Sequence, residues 1–255
     1  MAHWDSNPIY FEGGETGILL LHGFTGSPDC MGYVAEAMAK AKFTVCAPLL
    51  AGHGTHYSHL ENTHWQDWYQ SAERAFLDLR SRCKKIMVAG LSMGGLLAIH
   101  LGHQYPKAVT ALGLMATPVF LDGFLVRSVF PTIWKTPLRH LYRYQNKYIL
   151  SINDPKARKR YQTYEKIPVK SVASLLDFQK IARAELKHIY QPTIVIHSLH
   201  DETVSYGNLD YIKAVVASDE VKTLSLKKSN HIITVDYEKD EVAKALIKFF
   251  KKYRK

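Results

Sequence analysis

Cysteine is scarce in this chain. Cys30, Cys46 and Cys83 are the only three in 255 residues, too few and too odd in number to frame a secreted disulfide fold, and none stands in a Cys-x-x-Cys pair. That points to a reducing compartment. No uninterrupted apolar run approaches the roughly 20 residues of a membrane span. Met1 to Gly14 is polar and holds Trp4, Asp5 and Glu12, so no basic start leads into an apolar signal stretch. The expectation is a soluble, cytoplasmic protein. Internal repeats and low-complexity linkers are missing too. Hydrophobic residues make up 47% of the chain, near the globular average, which excludes disordered, collagen-like and coiled-coil classes. The length suits one large domain or two small ones.

Acidic residues are in deficit, 23 against 33 basic ones, for a formal charge of +10. Such an excess invites a nucleic-acid or membrane reading, so its location matters. Residues 1–119 carry 8 basic and 9 acidic groups, 120–187 carry 14 and 5, 188–243 carry 5 and 9, and 244–255 carry 6 and none. The excess therefore sits in one middle segment and in the tail. No nucleic-acid-binding motif accompanies it, and no nucleic-acid partner is expected.

Strand-like and helix-like patterns alternate from the start, as in an α/β sheet with mostly parallel strands. Short apolar runs at Ile18–Leu21, Phe43–Cys46, Ile86–Ala89, Ala111–Met115 and Thr193–Ile196 read as strands, and Val221–Leu226 alternates. Helices are expected over Cys30–Ala41, Thr63–Arg82, Gly94–Tyr105, Asn208–Ala217 and Tyr237–Tyr253. In the second of these, Trp65, Trp68, Tyr69, Ala72, Ala75, Phe76 and Leu79 recur at intervals of three and four. From Pro118 to about Lys187 no clean strand appears. An apolar stripe of Phe120, Phe124, Leu125, Val129, Ile133 and Trp134, followed by the basic stretch Lys156–Arg160, reads as a helical insertion.

The strongest chemical signal is Gly90-Leu91-Ser92-Met93-Gly94, between a strand and a helix. A nucleophile on a sharp, strained turn needs glycine two positions to either side, where a Cβ would clash as the chain doubles back. The motif alone is weak; its strand-turn-helix setting gives it weight. A phosphate loop is disfavoured, because the Lys-Ser/Thr ending is missing.

A serine hydroxyl needs a base within hydrogen-bond reach, itself oriented by a carboxylate. Thirteen histidines leave the base open by count, but functional groups of an open α/β sheet gather at the carboxyl ends of its strands. His231 follows the last expected strand, and Asp201 follows the strand that ends near His197. Adjacent Glu202 is the rival carboxylate, and Asp236 reads as an N-terminal cap of the last helix. Acyl transfer also needs two backbone N–H groups aimed at the developing oxyanion. Met93, just after the nucleophile, supplies one, and Phe24 in His22-Gly23-Phe24-Thr25-Gly26 supplies the other. His53, His56, His59 and His64 are close in sequence, but their spacing does not match a metalloprotease pair. No metal is expected.

The combination of His22-Gly23-Phe24-Thr25-Gly26, Gly52-His53-Gly54-Thr55-His56, Gly90-Leu91-Ser92-Met93-Gly94-Gly95, Asp201 and Ser229-Asn230-His231 resembles the small bacterial carboxylesterases and monoacylglycerol lipases of the α/β-hydrolase superfamily. The resemblance covers nearly the whole chain. It implies an α/β-hydrolase fold with residues 1–118 and 188–255 as core and 119–187 as a helical cap. It further implies a serine hydrolase without cofactor, with Ser92, Asp201 and His231 as triad and the N–H groups of Phe24 and Met93 as oxyanion hole. The expected substrates are short- to medium-chain acyl esters, small or lipid, with the cap stripe Phe120, Phe124, Leu125, Val129, Ile133 and Trp134 as candidate pocket lining. One departure is Ser198, where many relatives carry glycine three residues before the acid. The rival reading is a small-molecule-binding protein without hydrolytic activity on the same scaffold. A basic, partly apolar cap implies transient contact with anionic membrane surfaces, against the plainer alternative of a solvated basic face.

Overall fold

Ile18 to Leu21 is apolar at every position because both faces of its strand are covered. The computed structural model describes residues 6–121, 136, 143–146 and 150–254. Its strands are β1 (Ile9–Phe11), β2 (Thr16–Leu21), β3 (Thr44–Ala47), β4 (Lys85–Leu91), β5 (Val109–Met115), β6 (Tyr144–Asn146), β7 (Lys166–Pro168), β8 (Thr193–Ser198) and β9 (Val221–Leu226). Seven of them form one sheet in the order β1-β3-β2-β4-β5-β8-β9. Every pairing is parallel except the edge pair of β1 with β3.

Alternation along the strands divides the core in two. Ile18, Leu20, Met87, Ala89, Ala111, Ile194 and Ile196 face α1 (Gly32–Lys40) and the last helix, where Val34, Met38, Val242, Leu246 and Phe250 cover them. Leu19, Leu21, Ile86, Val88, Leu112, Leu114 and Val195 face the opposite layer. There they meet Trp68, Phe76 and Leu79 of α3 (Trp65–Arg82) and the apolar face of α4 (Met93–Gln104). A short α2 (Tyr57–Glu61) precedes α3, and α5 (Pro155–Arg160), α6 (Val169–Glu185), α7 (Gly207–Val215) and α8 (Lys239–Lys251) complete the helices among the described residues.

The expected strands and helices are present, with ends shifted by a few residues. Beside the edge strand β1, which the sequence reading lacks, two features differ from it. The segment read as a helical insertion contains a small antiparallel ladder, β6 with β7, whose three-residue strands are too short to leave a period in the sequence. Helix α6, placed in the same insertion, packs on the body. Its Leu175, Phe178 and Ala182 share the core of Trp68 and Leu97, and its Glu185 carboxylate meets His100 Nδ1 of α4 at 2.8 Å. The rings of Trp65, Tyr69 and Phe178 surround that imidazole.

Two histidines pin the loops at the carboxyl edge of the sheet. His22 accepts the Leu50 N–H at Nε2 (3.2 Å) and donates from Nδ1 to Gly23 O (3.0 Å). His53, between Phe24 and Trp68, donates from Nδ1 to Ala51 O at 2.9 Å. Burial lowers the pKa of His22 to about 4 and that of His53 to about 3, from the ordinary 6.5. Both are held neutral, so below pH 6.5 the unfolded chain binds protons that the folded chain refuses, and stability falls toward acid.

Two outcomes follow. Between pH 6 and pH 5 the unfolding free energy from urea titration should drop by on the order of 2 kcal/mol, and His53→Gln should roughly halve that slope; a flat profile would contradict neutral burial. Phe250→Ala, at a fully buried position under β5, should cost about 3–5 kcal/mol in the same titration, and a loss below about 1 kcal/mol would contradict the packing described.

Candidate active site

A single residue turns the chain from β4 into α4. Ser92 has φ 55° and ψ −120°, a backbone conformation that costs a non-glycine residue about 1–3 kcal/mol. Glycine makes the turn sterically possible. A Cβ on Gly90 would lie 2.0 Å from Gly94 O, and one on Gly94 would lie 2.1 Å from Leu21 O. Ser92 N–H donates to Met115 O and Gly95 N–H to Ser92 O, each at 2.8 Å. The hydroxyl therefore stands at the carboxyl end of the sheet, at the positive end of α4.

His231 and Asp201 arrive from the neighbouring strand ends. Ser92 Oγ lies 2.9 Å from His231 Nε2, and His231 Nδ1 lies 2.8 Å from Asp201 Oδ2. With the imidazole proton on Nδ1, the histidine donates to the carboxylate and accepts from the serine. The Asp201 side chain is buried, and Oδ1 accepts the N–H groups of Thr203 (2.9 Å) and Val204 (2.8 Å). Burial pushes its pKa up, but His231, the His197 Nε2–H at 3.3 Å and the Val204 N–H together hold it well below the usual carboxylate range. Glu202, the rival carboxylate, points elsewhere and accepts from Asn230 Nδ2 at 3.0 Å.

The loop after β2 lies directly against Ser92: a Cβ on Gly23 would stand 3.3 Å from Ser92 Cβ. Gly26 N–H closes the turn onto Gly23 O at 3.1 Å, and Thr163 Oγ1 donates to Thr25 O at 3.0 Å. Met93 is the first residue of α4, so its N–H has no acceptor within the helix.

A cavity of about 400 Å³ opens in front of Ser92 and His231. Its walls include Leu121, Ile167, Leu175 and Val204, with Asn146, Ser151 and Glu202 adding a polar side. Of the expected cap lining, Phe120 is a correction. Its ring packs on Tyr211 with Arg183 over its face, and the cavity walls do not include it. Its backbone N–H, bonded to Asn208 Oδ1 at 2.6 Å, turns it toward α7. Phe124, Leu125, Val129, Ile133 and Trp134 lie outside the described residues.

The clustered histidines have separate tasks. His56 caps α2 by accepting the Ser58 N–H, His64 stands in the capping box of α3, and His59 pairs with Thr55. Among the described residues no group of three or more His, Cys, Asp or Glu side chains is placed to hold a metal ion.

Several residues around His231 were missed in sequence or misread. Asp236 does not cap the last helix, which starts at Lys239. Buried instead beneath the His231 loop, its carboxylate accepts the N–H groups of Asn153, Asp154, Asn230 and Tyr237, all at 2.8 Å. Glu238 likewise accepts the N–H groups of Lys227, Lys228 and Ser229 at 2.8 Å. Ser198, the departure from glycine, donates to Ser229 O and accepts the His200 N–H, joining the loops that carry Asp201 and His231. A carboxylate five residues past the histidine was the only sequence signal for this anchoring.

The profile of the serine aminopeptidase S33 family matches residues 15–238. The chain is 34% identical over 251 residues to a thermostable monoacylglycerol lipase from Bacillus sp. (strain H-257), covering 97% of this chain and 95% of that protein. It is 26% identical to a carboxylesterase from Bacillus subtilis (strain 168), over 96% of each chain. Among solved structures, one of the metagenome-derived lipolytic enzymes LipS and LipT superposes with a TM-score of 0.90 at 27% identity, covering 97% of this chain and 98% of that one. On the fold, the elbow at Ser92 and a family match that spans most of its length, the chain belongs to the serine aminopeptidase S33 family of α/β-hydrolases.

Proposed function

We propose that this serine ester hydrolase works through Ser92, His231 and Asp201, and that its substrates are short- to medium-chain acyl esters, monoacylglycerols among them. The observation that carries the reading is the continuous hydrogen-bonded line from Ser92 Oγ through the imidazole to a buried, ionised Asp201. The names of the relatives supply the bond class: a monoacylglycerol lipase and a carboxylesterase, each aligned over nearly the whole chain.

In the first half-reaction His231 Nε2 takes the Ser92 proton as Oγ bonds to the ester carbonyl carbon. The carbonyl oxygen becomes an oxyanion facing the N–H groups of Phe24 and Met93. The C–O bond to the alcohol then breaks, and the alcohol leaves with the proton from His231. Water, deprotonated by the same nitrogen, attacks the acyl-enzyme and releases the acid. Asp201 holds the imidazole in one tautomer and stabilises its charged form. The apolar walls of the cavity suit an acyl chain, and its polar side suits the hydroxyl-bearing half of a monoacylglycerol. Any contact of the basic cap segment with an anionic membrane belongs to the same reading; among the described residues no helix is long and apolar enough to cross a bilayer.

Ser92→Ala should lower kcat by about 10⁴-fold or more with the circular-dichroism spectrum unchanged, and a fluorophosphonate should add its mass to the native chain only. Retained turnover in the alanine variant would remove Ser92 from the reaction. In a panel of p-nitrophenyl esters graded by chain length, beside a monoacylglycerol and an amide, kcat/KM should peak at medium chains. Activity confined to acetyl esters or to the amide would overturn the substrate class.

A further inference from the structure

Three segments meet behind His231: the acid loop at Asp201 and Glu202, the base loop at Ser229 to His231, and the stretch 150–154. The last reaches the cavity through Leu150 and Ser151. It touches both loops, since Ser151 O accepts the Ile232 N–H at 3.2 Å and Ser151 Oγ lies 2.7 Å from Thr203 Oγ1.

Asn230 sits where all three converge and is 3% exposed. Its Oδ1 accepts the N–H of Glu202 at 3.1 Å and that of His231 at 2.9 Å. Its Nδ2 donates to Glu202 Oε2 at 3.0 Å and to Asn153 Oδ1 at 3.2 Å. A primary amide offers two donors and two acceptor sites, and all four are used. Its own backbone N–H goes to Asp236 Oδ2 at 2.8 Å, the carboxylate that also grips Asn153 and Asp154. The residue preceding the base is thus fixed through both backbone and side chain. No other side chain of this size serves: aspartate lacks the donors and would face Glu202 with like charge, and alanine or serine does not span the gap.

We propose that Asn230 is a positioning residue for ester hydrolysis. It holds His231 in line between Ser92 and Asp201 by locking the base loop to the acid loop, and it ties that alignment to the cavity-lining stretch through Asn153. The proposal rests on Ser92 and His231 being nucleophile and base. Misplacing a reacting group by about 1 Å costs on the order of 100-fold in rate, so the lock acts on kcat and leaves substrate affinity in place.

The test uses the full chain as wild type, Asn230→Ala, Asn230→Asp and Ser92→Ala, assayed on p-nitrophenyl butyrate from pH 5 to 9, with active sites counted by fluorophosphonate labelling. Per labelled site, Asn230→Ala should lose about 10- to 100-fold in kcat with KM within about twofold. Asn230→Asp keeps the Oδ1 acceptor for the His231 N–H and sets a negative charge one residue from the base, facing Glu202. It should recover part of kcat at alkaline pH while the acid limb of kcat/KM moves up by about one pH unit. A purely structural asparagine would lower the number of labelled sites and leave the turnover per labelled site and the kcat-against-KM pattern of Asn230→Ala at wild type. That result, or wild-type kcat in Asn230→Ala, would overturn the proposal. Should Asn230→Ala fail to fold, full kcat per labelled site across the pH range in Asn230→Asp overturns it equally. An active Ser92→Ala would instead remove the triad beneath it, which keeps the two failures apart.

Discussion

Contact between the start of α4 and the end of β2 leaves no room for a side chain, and the functional end of the molecule depends on that closeness. Gly94 rests against the Leu21 carbonyl and Gly90 against Gly94, so the chain crosses from strand to helix in one residue, with Ser92 forced into positive φ. Strain of about 1–3 kcal/mol at one residue is small beside what two buried core layers supply. Its consequence is positional. The hydroxyl, the first N–H of α4 and the Gly23–Phe24 turn are brought to one point by backbone sterics, before any side-chain hydrogen bond contributes.

Around that point the structure manages buried charge by surrounding carboxylates with N–H groups. Asp201 takes two backbone N–H groups and two imidazoles, Asp236 takes four backbone N–H groups, and Glu238 takes three with the Ser229 hydroxyl. Charge-assisted bonds of this kind are stronger than neutral ones, and each stiffens a loop that regular secondary structure leaves free. The anchoring is heaviest under His231, whose loop holds an imidazole between two partners at once. Two buried neutral histidines, His22 and His53, do comparable work on the opposite side with hydrogen bonds and ring contacts alone.

How far the sequence was legible differs by feature, for physical reasons. Strands buried on both faces announce themselves as apolar runs, and the elbow announces itself because sterics permit only glycine at its flanks; both appear where expected. Asp201 and His231 were picked out by their places after strands, and the structure sets both in line with Ser92. The edge strand Ile9–Phe11 and the β6–β7 ladder were not, since three residues carry no period. Phe120 misled because an apolar stripe does not say which of two surfaces it covers. Asp236 was misread because a carboxylate ahead of a helix is usually a cap, while here the chain folds it back beneath its own loop. Asn230 and Ser198 are small polar residues whose partners lie about 30 positions away, a distance that no local pattern encodes.

Ser92 and His231 stand 139 residues apart in sequence and on strand ends separated by β5 and β8. Their alignment requires that β4, β5, β8 and β9 be laid side by side in parallel register, each through a crossover. Such non-local pairings are the slow part of folding, because chain closure precedes the contacts that reward it. The distance between Oγ and Nε2 therefore measures completion of the sheet: a chain that has collapsed and formed its helices while β9 is still unpaired carries a serine on its elbow but no histidine beside it.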